Sequence, residues 1–185
     1  FPVGIGKVGW NTPIFNGVIT KKAQNPSWYV PQSVKDFERT KGIDLPNILP
    51  PGPRNPLGQF ALYTSLPGYL LHGTNRPLGV GDQVSSGCLR MLPEDVEQLY
   101  HQIEAGAKIR VTHNPYEIGI LDNDLYLEVH PELEGIDESL ADSTTPLMSL
   151  ILFNSYKYRL PIDWNRVTQT LELEGSLPVD VSKQG

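Results

Sequence analysis

HGTNRPLGVGDQVSSGCLR, His72 to Arg90, holds the single cysteine of the chain, Cys88, set among glycine-rich turns and outside any apolar run. A thiol kept for packing behaves as a small hydrophobe. A thiol kept for chemistry needs a base or a positive charge beside it, because the thiolate is the nucleophile and a free thiol titrates at about 8.5. His72 is the nearest histidine, sixteen positions away (88 − 72). That separation excludes a shared helix face but suits a turn-rich excursion that leaves one strand and returns, with Gly73, Gly79, Gly81 and Gly87 as its turns. Gly87 lets the backbone approach a substrate closely, so that the N–H groups around Cys88 can face a developing oxyanion. The second imidazole nitrogen needs an acceptor. A backbone carbonyl near Gly73 or Thr74 is a candidate, since Asp82 is the one acidic residue of the stretch. Arg90 is placed to hold a substrate carboxylate or to stabilise the loop.

Outward from this stretch the chain reads as mainly β. Gln59–Ser65 and Gly68–Leu71 are short apolar runs around Leu66-Pro67-Gly68, a hairpin pattern that delivers His72 at its end. Phe1–Trp10 alternates apolar residues with Gly and Lys as a strand does. Lys108–Thr112, Ile118–Leu121 and Leu125–Val129 are further strands, the last two joined by Asp122-Asn123-Asp124. LPEDVEQLYHQI spaces Val96, Leu99, Tyr100 and Ile103 as a helix, with Pro93 in the first turn and Gly106 as the stop. A second helix is expected after Asp163 as cap, carrying Trp164, Val167 and Leu171 on one face and stopping at Gly175. Between Asn25 and Pro56 lie prolines 26, 31, 46, 50, 51, 53 and 56, a long loop or flap in which only Ser33–Gly42 looks helical, capped by Ser33.

Composition sets the limits. Gly 17 and Pro 17 make 34 of 185 residues, about 18%, below the roughly 25–30% of low-complexity chains. The chain therefore folds, with one main core and many turns. Fifteen Lys and Arg against 21 Asp and Glu give a net charge of −6 without a basic stripe, which argues against nucleic acid as partner. MSLILF, Met148–Phe153, falls far short of the ~18 apolar residues of a membrane span, so a soluble chain without a transmembrane segment is expected. One cysteine forms no internal disulfide and leaves the redox compartment open. The sequence begins at Phe1 without an initiator methionine, which leaves room for an upstream targeting segment or module. No metal-ligand spacing is visible, and neither metal nor cofactor is expected. His101, His113 and His130 read as packing, turn and structural residues, and Trp10, Trp28 and Trp164 as core or loop anchors, with Trp28 retaining a case for a saccharide contact.

HGTN, a glycine-rich spacer and SSGCLR together resemble the signature of the L,D-transpeptidase catalytic domain, the YkuD family. Asn55-Pro56-Leu57-Gly58 with Phe60, FPVGIGKVGWNTP and LYLEVHPEL (Leu125–Leu133) are similar to further elements of its Gram-negative members. The resemblance implies an L,D-transpeptidase-like β-sandwich or barrel with a few short helices over residues 1–133, interrupted by the proline-rich insertion at 25–56. Residues 134–185 are then a C-terminal extension with one helix. It implies Cys88 as nucleophile, His72 as the base that forms an ion pair with it, and Gly73 as the carbonyl orienting that base. Gly87 and Cys88 contribute to the oxyanion hole, and Ser85 supports the loop. Ser86 stands where the family usually has a second histidine. Arg90, Thr74 and Asn75 are the expected substrate contacts.

The implied substrate is a peptidoglycan tetrapeptide stem in the periplasm. Cys88 attacks the L-centre carbonyl of meso-diaminopimelate and releases D-alanine. An amine then takes the acyl group, from another stem in a 3→3 cross-link or from the lysine of an outer-membrane lipoprotein. Hydrolysis of the same acyl-enzyme, and an inactive wall-binding module, are the alternatives. The proline-rich segment or the residues after His130 are expected to cover the thioester.

Overall fold

A computed structural model of the chain describes residues 1–130, 145–173 and 177–183. It divides into two compact units, Phe1–Thr112 and His113–Gly185, so that the boundary falls before the hairpin that the sequence pattern assigned to the first domain. The architecture is mostly β with a few helices.

The first unit is built on a seven-stranded mixed sheet. Its strands are β1 (Val3–Gly6), β2 (Phe15–Gln24), β5 (Phe60–Thr64), β6 (Leu70–His72), β7 (Gln83–Ser85), β8 (Leu89–Met91) and β9 (Lys108–Val111), in the order β7-β1-β8-β6-β5-β2-β9. β2 is its longest strand and was not anticipated, because Lys21, Lys22 and two glycine- or asparagine-rich positions break the apolar alternation that marks a strand. Its first half pairs with β9 and its second half with β5, the register shifting between Ile19 and Lys21. Such a shift bends a strand and lets the sheet curl. β5 and β6 form the expected hairpin, with Gly68 at φ 86° in the connection.

The glycines of β1 have steric causes. A Cβ on Gly4 would stand 2.6 Å from the Gly79 carbonyl oxygen, and one on Gly6 would overlap the Trp10 carbonyl. Ile19, Phe60, Leu62, Met91 and Val96 form the core of this unit, beneath helix α2 (Pro93–Gln102). Pro93 opens that helix and Glu94 and Asp95 occupy its first turn as expected, but it ends at Gln102, where Ile103 turns extended. Gly106 instead shapes the next turn, its N–H donating to the Ile19 carbonyl at 2.7 Å.

The proline-rich segment is ordered as a flap. Strands β3 (Trp28–Tyr29) and β4 (Ile48–Leu49) pair antiparallel around helix α1 (Gln32–Thr40). Pro31, rather than Ser33, occupies the N-cap of α1, and no side chain caps it. The flap is pinned by Asn55, which is 1% exposed. Its Nδ2 donates to the Pro26 carbonyl at 2.8 Å and lies within reach of the Pro50 and Leu49 carbonyls, while its Oδ1 accepts the Leu57 N–H at 2.9 Å.

The second unit holds a three-stranded antiparallel sheet in the order β10 (Tyr116–Leu121), β11 (Asp124–Val129), β12 (Val179–Asp180). Asp122 and Asn123 take φ of 51° and 68°, the pair of positive values that a tight hairpin turn requires. Helices α3 (Thr145–Tyr158) and α4 (Trp164–Leu173) complete its described residues. Asp163 caps α4 as expected, its Oδ1 accepting the Asn165 and Arg166 N–H groups at 3.0 and 3.3 Å. Gly175, residues 131–133 of the expected hairpin, and the rest of 131–144 lie outside the described residues. α3 was not anticipated. Leu147 and Ile151 are buried, one turn apart, while Met148, Leu150, Leu152 and Phe153 around them are exposed to varying degrees, so the sequence shows an apolar block without a stripe. Among the described residues no helix is long and apolar enough to cross a membrane.

Asn55→Ala should leave buried carbonyls and the Leu57 N–H unpaired and lower stability by about 1–3 kcal/mol. Urea unfolding checks this: the midpoint should fall with the slope unchanged, and an unaltered midpoint would remove Asn55 as the flap's pin.

Candidate active site

Parallel pairing of β6 with β8 sets Leu71 opposite Leu89 and His72 opposite Arg90. The chain between them runs through a 3-10 turn at Pro77–Gly79 and out to the edge strand β7 before it returns. Cys88 is the residue before β8, and it lines the same cavity as His72. This cavity, about 510 Å³ in volume, lies wholly within the first unit. The flap contributes Trp28, Tyr29 and Val34 to its wall, and Tyr63, Tyr69 and Trp10 line it from the body of the unit.

His72 is 5% exposed. Its Nδ1 lies 2.5 Å from the Gly73 carbonyl oxygen, the orienting contact that the sequence analysis expected at Gly73. Burial lowers its pKa to about 4, and the Arg90 charge acts in the same direction, while the backbone at Gly73 and Pro56 favours the protonated ring. Burial also raises the Cys88 thiol above its ordinary value, opposed by a backbone hydrogen bond from Leu70 and by the Arg90 charge. The thiol donates to the Gly68 carbonyl at 3.5 Å. Both shifts run against the charged forms that the expected ion pair would require.

The cysteine loop is fixed by two hydroxyls. Ser85 Oγ donates to the Cys88 carbonyl at 2.6 Å and accepts the Gly87 N–H at 3.1 Å. Thr12 Oγ1 donates to the Gly87 carbonyl at 2.9 Å and accepts the Gly6 N–H at 2.9 Å. Ser85 thus supports the loop as expected, while the Gly87 N–H is already engaged and is withdrawn from the oxyanion hole assigned to it. Gly87 takes φ of 104°, and a Cβ there would come within 3.0 Å of the Tyr69 ring, so glycine is required on both conformational and steric grounds. Ser86 is exposed and lines the cavity.

Two of the expected substrate contacts are not brought to the cavity. Thr74 is buried and its hydroxyl accepts the Arg76 N–H at 2.9 Å, and the Asn75 side chain donates to the Pro53 carbonyl at 3.1 Å. Both tie down the loop after β6. Arg90 does line the cavity. Trp10, read as an anchor, lines it as well, while its ring packs edge-on against Phe37 at 5.6 Å. Thr12, Tyr63 and Tyr69 went unnoticed in the sequence, because a hydroxyl or phenol far along the chain carries no local signal of what it will face. His101 packs edge-on against Phe60 and Tyr100, and His130 Nε2 lies 3.1 Å from Glu128 Oε1, both as structural residues. No cluster of metal-ligating side chains occurs among the described residues.

Residues 1–111 match the profile of the YkuD family, described as the L,D-transpeptidase catalytic domain. Probable L,D-transpeptidase YcfS of Escherichia coli K12 is 32% identical over 189 residues, covering 99% of this chain and 58% of its own length. Probable L,D-transpeptidase ErfK/SrfK of Salmonella typhimurium LT2 is 30% identical over 184 residues, covering 98% of this chain and 59% of its own length. The chain therefore spans somewhat over half the length of these curated relatives. Among solved structures, an L,D-transpeptidase from Mycobacterium tuberculosis H37Rv aligns with 60% of this chain and 42% of its own at 19% identity and a TM-score of 0.44.

The depressed His72 pKa has a consequence for stability. Between its folded value of about 4 and its ordinary 6.5, the unfolded chain binds the extra proton, so stability is full above about pH 6.5 and is lost as pH falls towards 4. A depression from 6.5 to about 4 corresponds to about 3 kcal/mol. Urea midpoints from pH 4 to 7 should rise more steeply for the wild type than for His72→Gln. Equal slopes would show that His72 titrates normally in the folded protein.

Proposed function

The chain belongs to the YkuD family of L,D-transpeptidase catalytic domains, and from that membership we propose that it is a cysteine L,D-transpeptidase acting on peptidoglycan tetrapeptide stems in the periplasm. The observation that carries the reading is the placing of Cys88 and His72 in one cavity by the β6–β8 pair, with the Gly73 carbonyl on His72 Nδ1.

With Nδ1 donating to Gly73, Nε2 is the nitrogen left to accept a proton. As Cys88 Sγ attacks the L-centre carbonyl of the third stem residue, its proton passes to Nε2. The N–H of Cys88 meets the oxyanion, because the Gly87 N–H is held by Ser85. Collapse breaks the C–N bond, and the departing D-alanine nitrogen takes the proton from His72. A thioester remains. The acceptor amine attacks it, loses a proton to His72, and the expelled thiolate recovers that proton. One amide is exchanged for another, and the thioester conserves the acyl energy between the two steps. Among the described residues Arg90 is the one charged side chain lining the cavity, and it meets a carboxylate of the donor. The acceptor is a second stem, giving a 3→3 cross-link, or a lipoprotein lysine.

Incubation with a disaccharide-tetrapeptide should add an acyl mass to the wild type and release D-alanine. Cys88→Ala should do neither and lose at least ~10³-fold in rate. A cross-linked dimer among the products identifies the transpeptidase, and a tripeptide alone the hydrolase. A wild type inert to both the tetrapeptide and a carbapenem would overturn the enzymatic reading.

An imidazole–thiol resting state also predicts the reactivity of the free enzyme. Alkylation of Cys88 by iodoacetamide should be slow at pH 6 and still climbing above pH 8, because the thiol is raised by burial. A plateau between pH 5 and 8 would instead reveal a preformed ion pair.

A further inference from the structure

Gly87 and Cys88 present four backbone polar groups, and side-chain hydroxyls hold three of them. Ser85 Oγ donates to the Cys88 carbonyl at 2.6 Å and accepts the Gly87 N–H at 3.1 Å, and Thr12 Oγ1 donates to the Gly87 carbonyl at 2.9 Å. The fourth is the Cys88 N–H, the group that meets the oxyanion in the mechanism above. It belongs to the same peptide unit as the Gly87 carbonyl, and no peptide bond among the described residues is cis. In a planar trans unit the C=O and the N–H point in opposite directions, so whatever holds the carbonyl also aims the N–H. Glycine makes such a hold necessary. With Gly87 at φ 104° and no Cβ, the unit turns over at little steric cost unless something outside the loop fixes it.

The chain that brings Thr12 there passes between two glycines. Its turn is closed by the Trp10 N–H donating to the Lys7 carbonyl at 2.8 Å. A Cβ on Gly6 would stand 2.8 Å from the Thr12 nitrogen, and one on Gly87 would stand 3.4 Å from the Trp10 carbonyl oxygen, so residues 10–12 lie against both β1 and the cysteine loop. The Thr12 hydroxyl accepts the Gly6 N–H at 2.9 Å, which leaves its proton for the Gly87 carbonyl. β1 in turn pairs with β7 and β8, the strands on either side of the loop, so the hold is anchored in the sheet.

We propose that Thr12 is a positioning residue for the oxyanion hole: by holding the Gly87 carbonyl it aims the Cys88 N–H at the donor's carbonyl oxygen as that oxygen becomes negative. The inference rests on the transpeptidase reading and deepens it. Thr12 touches neither substrate nor thiol, and its effect is confined to steps in which an oxyanion forms.

Two reactions of the same thiol separate this role from a structural one. Acylation by a tetrapeptide stem or a carbapenem builds an oxyanion, whereas alkylation by iodoacetamide displaces iodide at a saturated carbon and builds none. In single turnovers followed by intact mass, Thr12→Val should be acylated about 10–100-fold more slowly than the wild type, with the donor concentration at half-maximal rate unchanged. Its alkylation at about pH 9 should stay within about twofold of the wild type. Thr12→Ser keeps the hydroxyl and should restore acylation to within about threefold. Urea unfolding reports whether each variant is folded, and Thr12→Ala replaces Thr12→Val, with the same expectations, if the valine variant is not. Acylation undiminished in the folded variant, or acylation and alkylation falling together, would overturn the role of Thr12. A wild type that is acylated in that case leaves the transpeptidase reading standing, whereas a wild type acylated by neither the stem nor the carbapenem takes both down.

Discussion

The parallel contact between β6 and β8 is the constraint on which the site depends. Parallel neighbours cannot be joined by a tight turn, so the chain between His72 and Leu89 must make an excursion and come back. Here it travels to the far edge of the sheet as β7, on the other side of β1, before β8 slots between β1 and β6. The amino-terminal strand is thus enclosed by the loop that carries the nucleophile, and its glycines are the residues that permit this. Gly4 lies against the Gly79 carbonyl, and Gly6 donates to Thr12, whose hydroxyl holds the Gly87 carbonyl. A side chain at either glycine would push on the loop that sets Cys88, although neither residue is near enough to react with anything.

Burial then decides the electrostatics. It penalises imidazolium and thiolate alike, and Arg90 helps the second while opposing the first. Burial thus favours the neutral form of each group. Arg90 lines the cavity and acts on both groups, so a change in its charge environment would be felt at His72 and Cys88 alike.

How much of this was legible in the sequence follows from the range of each interaction. The β5–β6 hairpin, the first turn of α2, the Asp163 cap and the Asp122-Asn123 turn are local, set by residues within four or five positions, and they read correctly. That Cys88 and His72 would lie in one site, and that the Gly73 carbonyl would face His72, was expected from the family resemblance; the structure places both residues in one cavity and the Gly73 carbonyl on His72 Nδ1. Non-local facts were not legible. Asn55 binds carbonyls on both sides of the flap, Thr12 reaches a loop 75 residues away, and β2 changes partner at a bulge. The Gly87 N–H looked free because the sequence does not say that the Ser85 hydroxyl turns back to it. Thr74 and Asn75 looked like site residues because they follow His72, yet their polar groups are spent on the loop itself.

The flap joins these strands of argument. A thioester survives only as long as water is kept from it, and Trp28, Tyr29 and Val34 of the proline-rich segment line the cavity that holds Cys88. Prolines supply no N–H groups and lose little entropy on ordering, so such a segment can be held in place by few contacts. Asn55 supplies several of them from a single buried side chain, at the point where the flap rejoins the sheet. On the transpeptidase reading, a stem that fills the space beside Trp28 and Tyr29 would exclude water from a thioester at Cys88, and so favour an amine as acceptor.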